Sequence, residues 1–133
     1  FSDYEEGSWT PVPFGSTTAG TYTPSYIDGD YVLVGKMCFI TCTIAATSFT
    51  GTGNFNISGL PFSAAPVASL GMVQYNTNPF ATLTSTNQNL VAQIGTNITF
   101  RASSSVAGGG FVTPQCSSSS ISYLRVSGCY EVA

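Results

Sequence analysis

Met37-Cys38-Phe39-Ile40-Thr41-Cys42-Thr43-Ile44 is the stretch that decides the fold of this chain. Cys38, Ile40, Cys42 and Ile44 alternate with Met37, Phe39, Thr41 and Thr43. Successive side chains of a strand point to opposite faces, so a period of two marks a strand with one face in a core. Just upstream, Tyr31 to Val34 reads as a second strand. Gly35-Lys36 between them suits a two-residue turn with Gly first. Before that, Ile27-Asp28-Gly29-Asp30-Tyr31 carries an Asp-Gly turn signal.

The same period continues downstream. Phe55 and Ile57 mark a short strand closed by Ser58-Gly59 and Leu60-Pro61. Val67 to Tyr75 reads as a strand with Gly71 as a bulge, and Phe80 to Thr84 as another. Leu90 to Ile94 and Asn97 to Arg101 flank Gly95-Thr96 as a hairpin. Ile121 to Val126 and Cys129 to Val132 surround Ser127-Gly128 as the last pair. Ser103 to Ser120, with Gly108-Gly109-Gly110 and a serine run, reads as a long loop. No stretch sustains a helical period, and β-branched and aromatic residues fill the apolar positions. Turn signals at this interval predict an all-β sandwich or barrel in a single domain.

Composition narrows the function classes. Charged residues make up 7% of the 133, hydrophobic ones 43% and aromatic ones 13%, with a net charge of −3. That much apolar surface offsets the ordering entropy, so the chain folds despite its low charge. Lys36, Arg101 and Arg125 are the three cations, too few and too scattered to track phosphates, which argues against nucleic acid as a partner. No apolar run approaches the ~20 residues of a helical membrane span, and no basic-then-apolar leader opens the sequence. Phe1 stands where an initiator Met would, which reads as part of a longer or processed chain. A surface of hydroxyls, amides and glycines protects strand edges poorly, which favours an assembled state.

The reactive residues point away from catalysis. There is no His, which removes the usual general base and the commonest metal ligand. Asp3, Glu5, Glu6, Asp28, Asp30 and Glu131 are the carboxylates, and most sit beside turn or terminal signals as solvated charges. The chain reads as non-enzymatic, with no cofactor. Asp28-Gly29-Asp30 offers two oxygen ligands but is too short for a calcium shell. Cys38 and Cys42 share a strand face ~13 Å apart, beyond disulfide reach. Cys116 with Cys129 is allowed by sequence, as are cross-pairs between the two groups, while burial as thiols is the favoured reading. Asn56-Ile57-Ser58 and Asn97-Ile98-Thr99 match a glycosylation triplet, as chance produces in such a composition. Trp9, Tyr22 and Tyr26 fit packing against a neighbouring subunit or stacking on a ligand. Tyr75 with the amides Asn76, Asn78, Asn87 and Gln88 forms the polar, partly aromatic loop set suited to sugar contact, although turn chemistry explains those loops equally well.

Three segments carry a family likeness: Asp3-Tyr4-Glu5-Glu6-Gly7-Ser8-Trp9-Thr10-Pro11, Gly29-Asp30-Tyr31-Val32-Leu33-Val34-Gly35-Lys36, and Gly53-Asn54-Phe55-Asn56-Ile57-Ser58-Gly59-Leu60-Pro61-Phe62. With the ending Ser127-Gly128-Cys129-Tyr130-Glu131-Val132, they resemble the carboxy-terminal domains of bacteriophage tail-fibre and virion-surface proteins. The likeness thins from Ala64 to Ser120, and the cysteines and hydrophobic Val32-Leu33-Val34 depart from it. The resemblance implies an antiparallel, jelly-roll-like β-sandwich of about nine short strands, packed as a homotrimer. It implies the end of a longer fibre or spike subunit, residues 1–20 leading in from the stalk. It also implies a virion protein assembled in the bacterial cytoplasm, whose reducing conditions favour thiols. Its expected role is host attachment by non-covalent binding of a cell-surface glycan or another receptor, with Tyr75, Asn76, Asn78, Asn87 and Gln88 as contact candidates. Two other readings remain open. One is a trimerisation cap or capsid decoration without a ligand. The other is a carbohydrate-binding module of a secreted bacterial enzyme.

Overall fold

The computed structural model describes residues 4–66, 69–76, 80, 89–103, 107, 110–117 and 120–133. They form ten strands: β1 (Tyr4–Ser8), β2 (Val12–Gly15), β3 (Tyr22–Val34), β4 (Met37–Phe49), β5 (Phe55–Ser58), β6 (Ser69–Gln74), β7 (Asn89–Ile94), β8 (Ile98–Ser103), β9 (Phe111–Val112) and β10 (Ile121–Glu131). No helix occurs among the described residues. One antiparallel sheet runs β1-β3-β4-β10-β6-β7-β8-β5-β2, with β9 paired to β8.

That order forces the sheet to fold over. β1 and β2 are its opposite edges, yet only Trp9, Thr10 and Pro11 join them. β4 and β5 lie five strand spacings apart, about 24 Å on a flat sheet, yet the rings of Phe49 and Phe55 sit 5.5 Å apart. The result is a sandwich-like curl around one core, as the alternation predicts. Cys38, Ile40, Cys42 and Ile44 enter it from β4, and Leu124, Val126 and Tyr130 from β10. Phe55 and Ile57 of β5 and Ile98 and Phe100 of β8 face them. Phe80 stacks edge-on against Phe55, at 5.3 Å.

The closing segment is locked by polar contacts and close approach. Trp9 is 8% exposed, a core residue rather than a subunit or ligand contact. Its backbone N–H donates to the Gly29 carbonyl at 2.9 Å and its indole Nε1 donates to the Asp30 carbonyl at 3.1 Å. A Cβ at Gly29 would come 2.5 Å from the Trp9 carbonyl oxygen. Gly59 meets the same segment from β5, with φ +99 and a would-be Cβ 2.2 Å from the Thr10 oxygen. Next to it, the buried Tyr130 hydroxyl donates to the Phe62 carbonyl at 2.9 Å and accepts from its N–H at 3.2 Å. The opening residues thus supply two strands and a core tryptophan.

Several expectations are corrected. Asp28-Gly29 is no turn: it lies inside the thirteen-residue β3, where Gly29 is the gap that Trp9 needs. Ser127-Gly128 likewise lies inside a continuous β10. Gly71 is not a bulge but pairs in register with Gly128. A Cβ on Gly128 would come 2.8 Å from Ile94 Cδ1, so the bare backbone there lets β7 pack onto β10. The bulge lies instead between Ile121 and Leu124. The long loop contains β9, and Cys116 within it bridges to Phe80. Of the expected Phe80–Thr84 strand only Phe80 is among the described residues. All four cysteines are free thiols, so Cys116 and Cys129 do not pair in the structure.

Two outcomes follow from this packing. Gly59→Ala is expected to destabilise the fold by roughly 3 kcal/mol, since the new methyl meets both left-handed strain and a backbone oxygen. Gly35→Ala, at φ +59 but with nothing within 4 Å, should cost only about 1 kcal/mol; urea titration of both variants separates space from strain. Burial pushes the Cys42 thiol from 9.0 up to about 12, partly offset by a hydrogen bond with the Val126 backbone. The stability this thiol contributes is complete below about pH 9 and is lost as pH rises toward 12, because the unfolded thiol ionises first. Urea midpoints at pH 7, 9 and 11 should fall accordingly, by at most about 4 kcal/mol at pH 12. Buried Tyr130, also raised by desolvation, acts in the same direction, and Cys42→Ala should flatten the slope.

Candidate functional site

The outward side of β1, β3, β4, β10 and β6 has two characters. Opposite each inward residue of β4 stands an outward one: Met37, Phe39, Thr41 and Thr43. Register carries this face sideways. Val32 lies across from Phe39 on one side and Cys129 on the other, while Thr41 faces Asp30 and Ser127, and Ser127 faces Met72. Phe39 is 48% exposed, Leu70 64% and Met72 78%. They make an apolar stripe over a shallow groove lined by Phe39, Leu70, Met72 and Cys129. Isolated exposed apolar residues are ordinary; a contiguous set on one sheet face marks an interaction surface.

Charge flanks the stripe unevenly. Glu6, Asp28 and Asp30 lie on the β1–β3 side, where Glu6 pairs with Val32, Ser8 with Asp30 and Asp28 with Thr43. Arg125 stands on the β10 side, between Thr43 and Gln74. Glu5, on β1 but in the row of Leu33 and the buried Cys38 rather than that of the stripe, accepts a hydrogen bond from the Tyr31 hydroxyl, which raises the Tyr31 pKa above its ordinary value.

At the upper end of the stripe a groove of about 500 Å³ runs between Thr41, Thr43, Met72, Gln74, Arg125 and Ser127. Tyr123 stands beside it. It lies within the β10 bulge, on the same outward face as Arg125, 46% exposed at φ +48. For a bulky side chain that left-handed backbone costs on the order of 1–3 kcal/mol. The Arg125 guanidinium lies over its ring at 5.9 Å from the centroid, inside cation–π range. The bulge is tied to the neighbouring loop where Asn76 N–H donates to the Ser122 carbonyl at 3.2 Å.

The sequence-derived contact set divides here. Asn76 is exposed, while Tyr75 is partly buried and turns its ring edge-on to Phe80 at 6.0 Å. Asn78, Asn87 and Gln88 lie outside the described residues. Tyr123 and Arg125 were missed by sequence reasoning. Their signal is present: Ile121 and Leu124 both point inward, three residues apart in a strand of period two, and such a slip marks a bulge. Asp28 and Asp30 share a face of β3, and no group of three or more metal-ligating side chains occurs among the described residues.

No family model and no curated protein matches the chain. A solved structure does: the crystal structure of the Dettilon tailspike protein (gp208) is similar over 98% of this chain, with a TM-score of 0.69 and 23% identity. The chain spans 24% of the length of that protein. The curled antiparallel sheet described above is thus a fold shared with part of a phage tailspike.

Proposed function

We propose that this chain is a domain of a bacteriophage tail spike or fibre that helps attach the virion to its host cell, without enzymatic activity of its own. The observation that supports it most is the whole-chain similarity of fold to one part of a tailspike. The opening, middle and closing segments that resemble fibre domains also meet in space. Trp9 packs on Gly29, Gly59 on Thr10, and Phe62 on both Tyr31 and Tyr130. The likeness thus lies in one connected framework.

In this reading the domain works as a homotrimer, and the apolar stripe is where copies meet. The Phe39–Leu70–Met72 surface is too apolar to favour water, which suits contact between copies. Repeated display on the particle then multiplies a weak single-site affinity. A trimerisation cap without a ligand is the second reading, and the same stripe favours it.

Light scattering on a sizing column is expected to give about three times the 13.8 kDa chain mass. Phe39→Ser with Met72→Ser should yield a folded monomer, checked by circular dichroism. A wild-type monomer at high concentration would turn the assignment toward a carbohydrate-binding module. Attachment itself is read from adsorption of the labelled chain to a panel of bacterial strains. Trimers that adsorb to none of them favour the cap.

A further inference from the structure

Resting on the attachment reading, we propose that the groove between Thr43, Gln74 and Arg125, flanked by Tyr123, binds a saccharide that carries an anionic group. The shared chemistry is an anion on a sugar ring, a carboxylate or a phosphate. Each part of that class has a counterpart in the groove. Arg125 is exposed on the outer face, and its recorded contact among the described residues is the Tyr123 ring, which leaves the guanidinium edge open to a planar or tetrahedral anion. With one side set against the ring, the fork is partly immobilised before a ligand arrives.

The rest of the groove suits hydroxyls. Across the sheet from Arg125, register places Gln74 on β6, Thr43 on β4 and Asp28 on β3 in a single row. Four adjacent strands make that row about 14 Å wide, room for a short oligosaccharide. Gln74 both donates and accepts, Thr43 does the same, and the Asp28 carboxylate accepts from sugar hydroxyls. Asp28 at the far end also holds a second anion away, which orients the ligand with its charged group at Arg125. The exposed Tyr123 ring gives the apolar face of a sugar a surface to lie on. Tyr123 shares the outward parity of Arg125, two residues on, which sets ring and guanidinium side by side.

The test is calorimetric titration of the intact chain with tetragalacturonate, with its methyl ester as the neutral control, and with glucose 6-phosphate. The charged tetramer or the phosphate should bind at least tenfold tighter than the ester, and binding should weaken with added salt. Preference for one charged probe identifies carboxylate or phosphate as the source. Arg125→Gln should remove the preference. Tyr123→Gly should weaken binding at least fivefold while melting no lower than wild type, because glycine relieves the left-handed strain; Tyr123→Ala should weaken binding equally and melt lower. Equal binding of ester and acid, no binding of either charged probe at millimolar concentration, or an Arg125→Gln variant indistinguishable from wild type would each overturn the assignment. Cell adsorption separates the two readings: adsorption that survives Arg125→Gln sinks the groove and leaves attachment standing. Charged-sugar binding by a chain that adsorbs to no strain does the reverse.

Discussion

Everything in this fold depends on bringing two edges of one sheet together across Trp9, Thr10 and Pro11. A nine-strand path laid flat would put those edges far beyond the reach of three residues. The sheet therefore closes on itself, and the core is what the closure encloses. Two glycines and an indole set the fit. Gly29 gives Trp9 its place, Gly59 lets the chain pass Thr10, and the indole N–H finds the Asp30 carbonyl, so that a large ring is buried without an orphaned donor.

The alternating residues made the elements legible and the glycines made them misleading. Met37 to Ile44 reads correctly because its inward set is apolar at every second position, and Gly35-Lys36 reads correctly because it does turn the chain. Asp28-Gly29 and Ser127-Gly128 have the same local chemistry as a turn but serve another end. They are places where a strand must come within contact distance of another backbone or ring. A sequence window of ten residues holds no information about which partner will arrive. β1 and β2 were hidden for the same reason: Tyr4–Ser8 is exposed throughout, and only its pairing with β3 defines it.

Of the residues named from sequence as contact candidates, the structure describes Tyr75 and Asn76. Amide-rich loops suggested sugar contact; Asn76 is exposed, with its N–H on the Ser122 carbonyl, while Tyr75 turns its ring to Phe80. An aromatic that faces outward is Tyr123, which alternates with the buried Leu124 and sits beside a bulge between Ile121 and Leu124. In a chain with so few charges, one arginine beside one ring alters the surface potential more than it would elsewhere, which is why these two residues carry so much of the chemistry of the outer face.

The position of β10 has a consequence for how the chain is made. β10 is the last strand in sequence and lies between β4 and β6, in the middle of the sheet. Until it leaves the ribosome, β1-β3-β4 and the β6-to-β2 group are two unjoined pieces, each with a bare strand edge and an apolar face. Closing the sheet must wait for β10 and then proceed through contacts between distant parts of the chain, the slow regime for β proteins. During that wait the two open edges are where nascent copies adhere to one another. Loss of β10 would leave the chain in this state permanently, because Arg125 to Gly128 are what join β6 to β4.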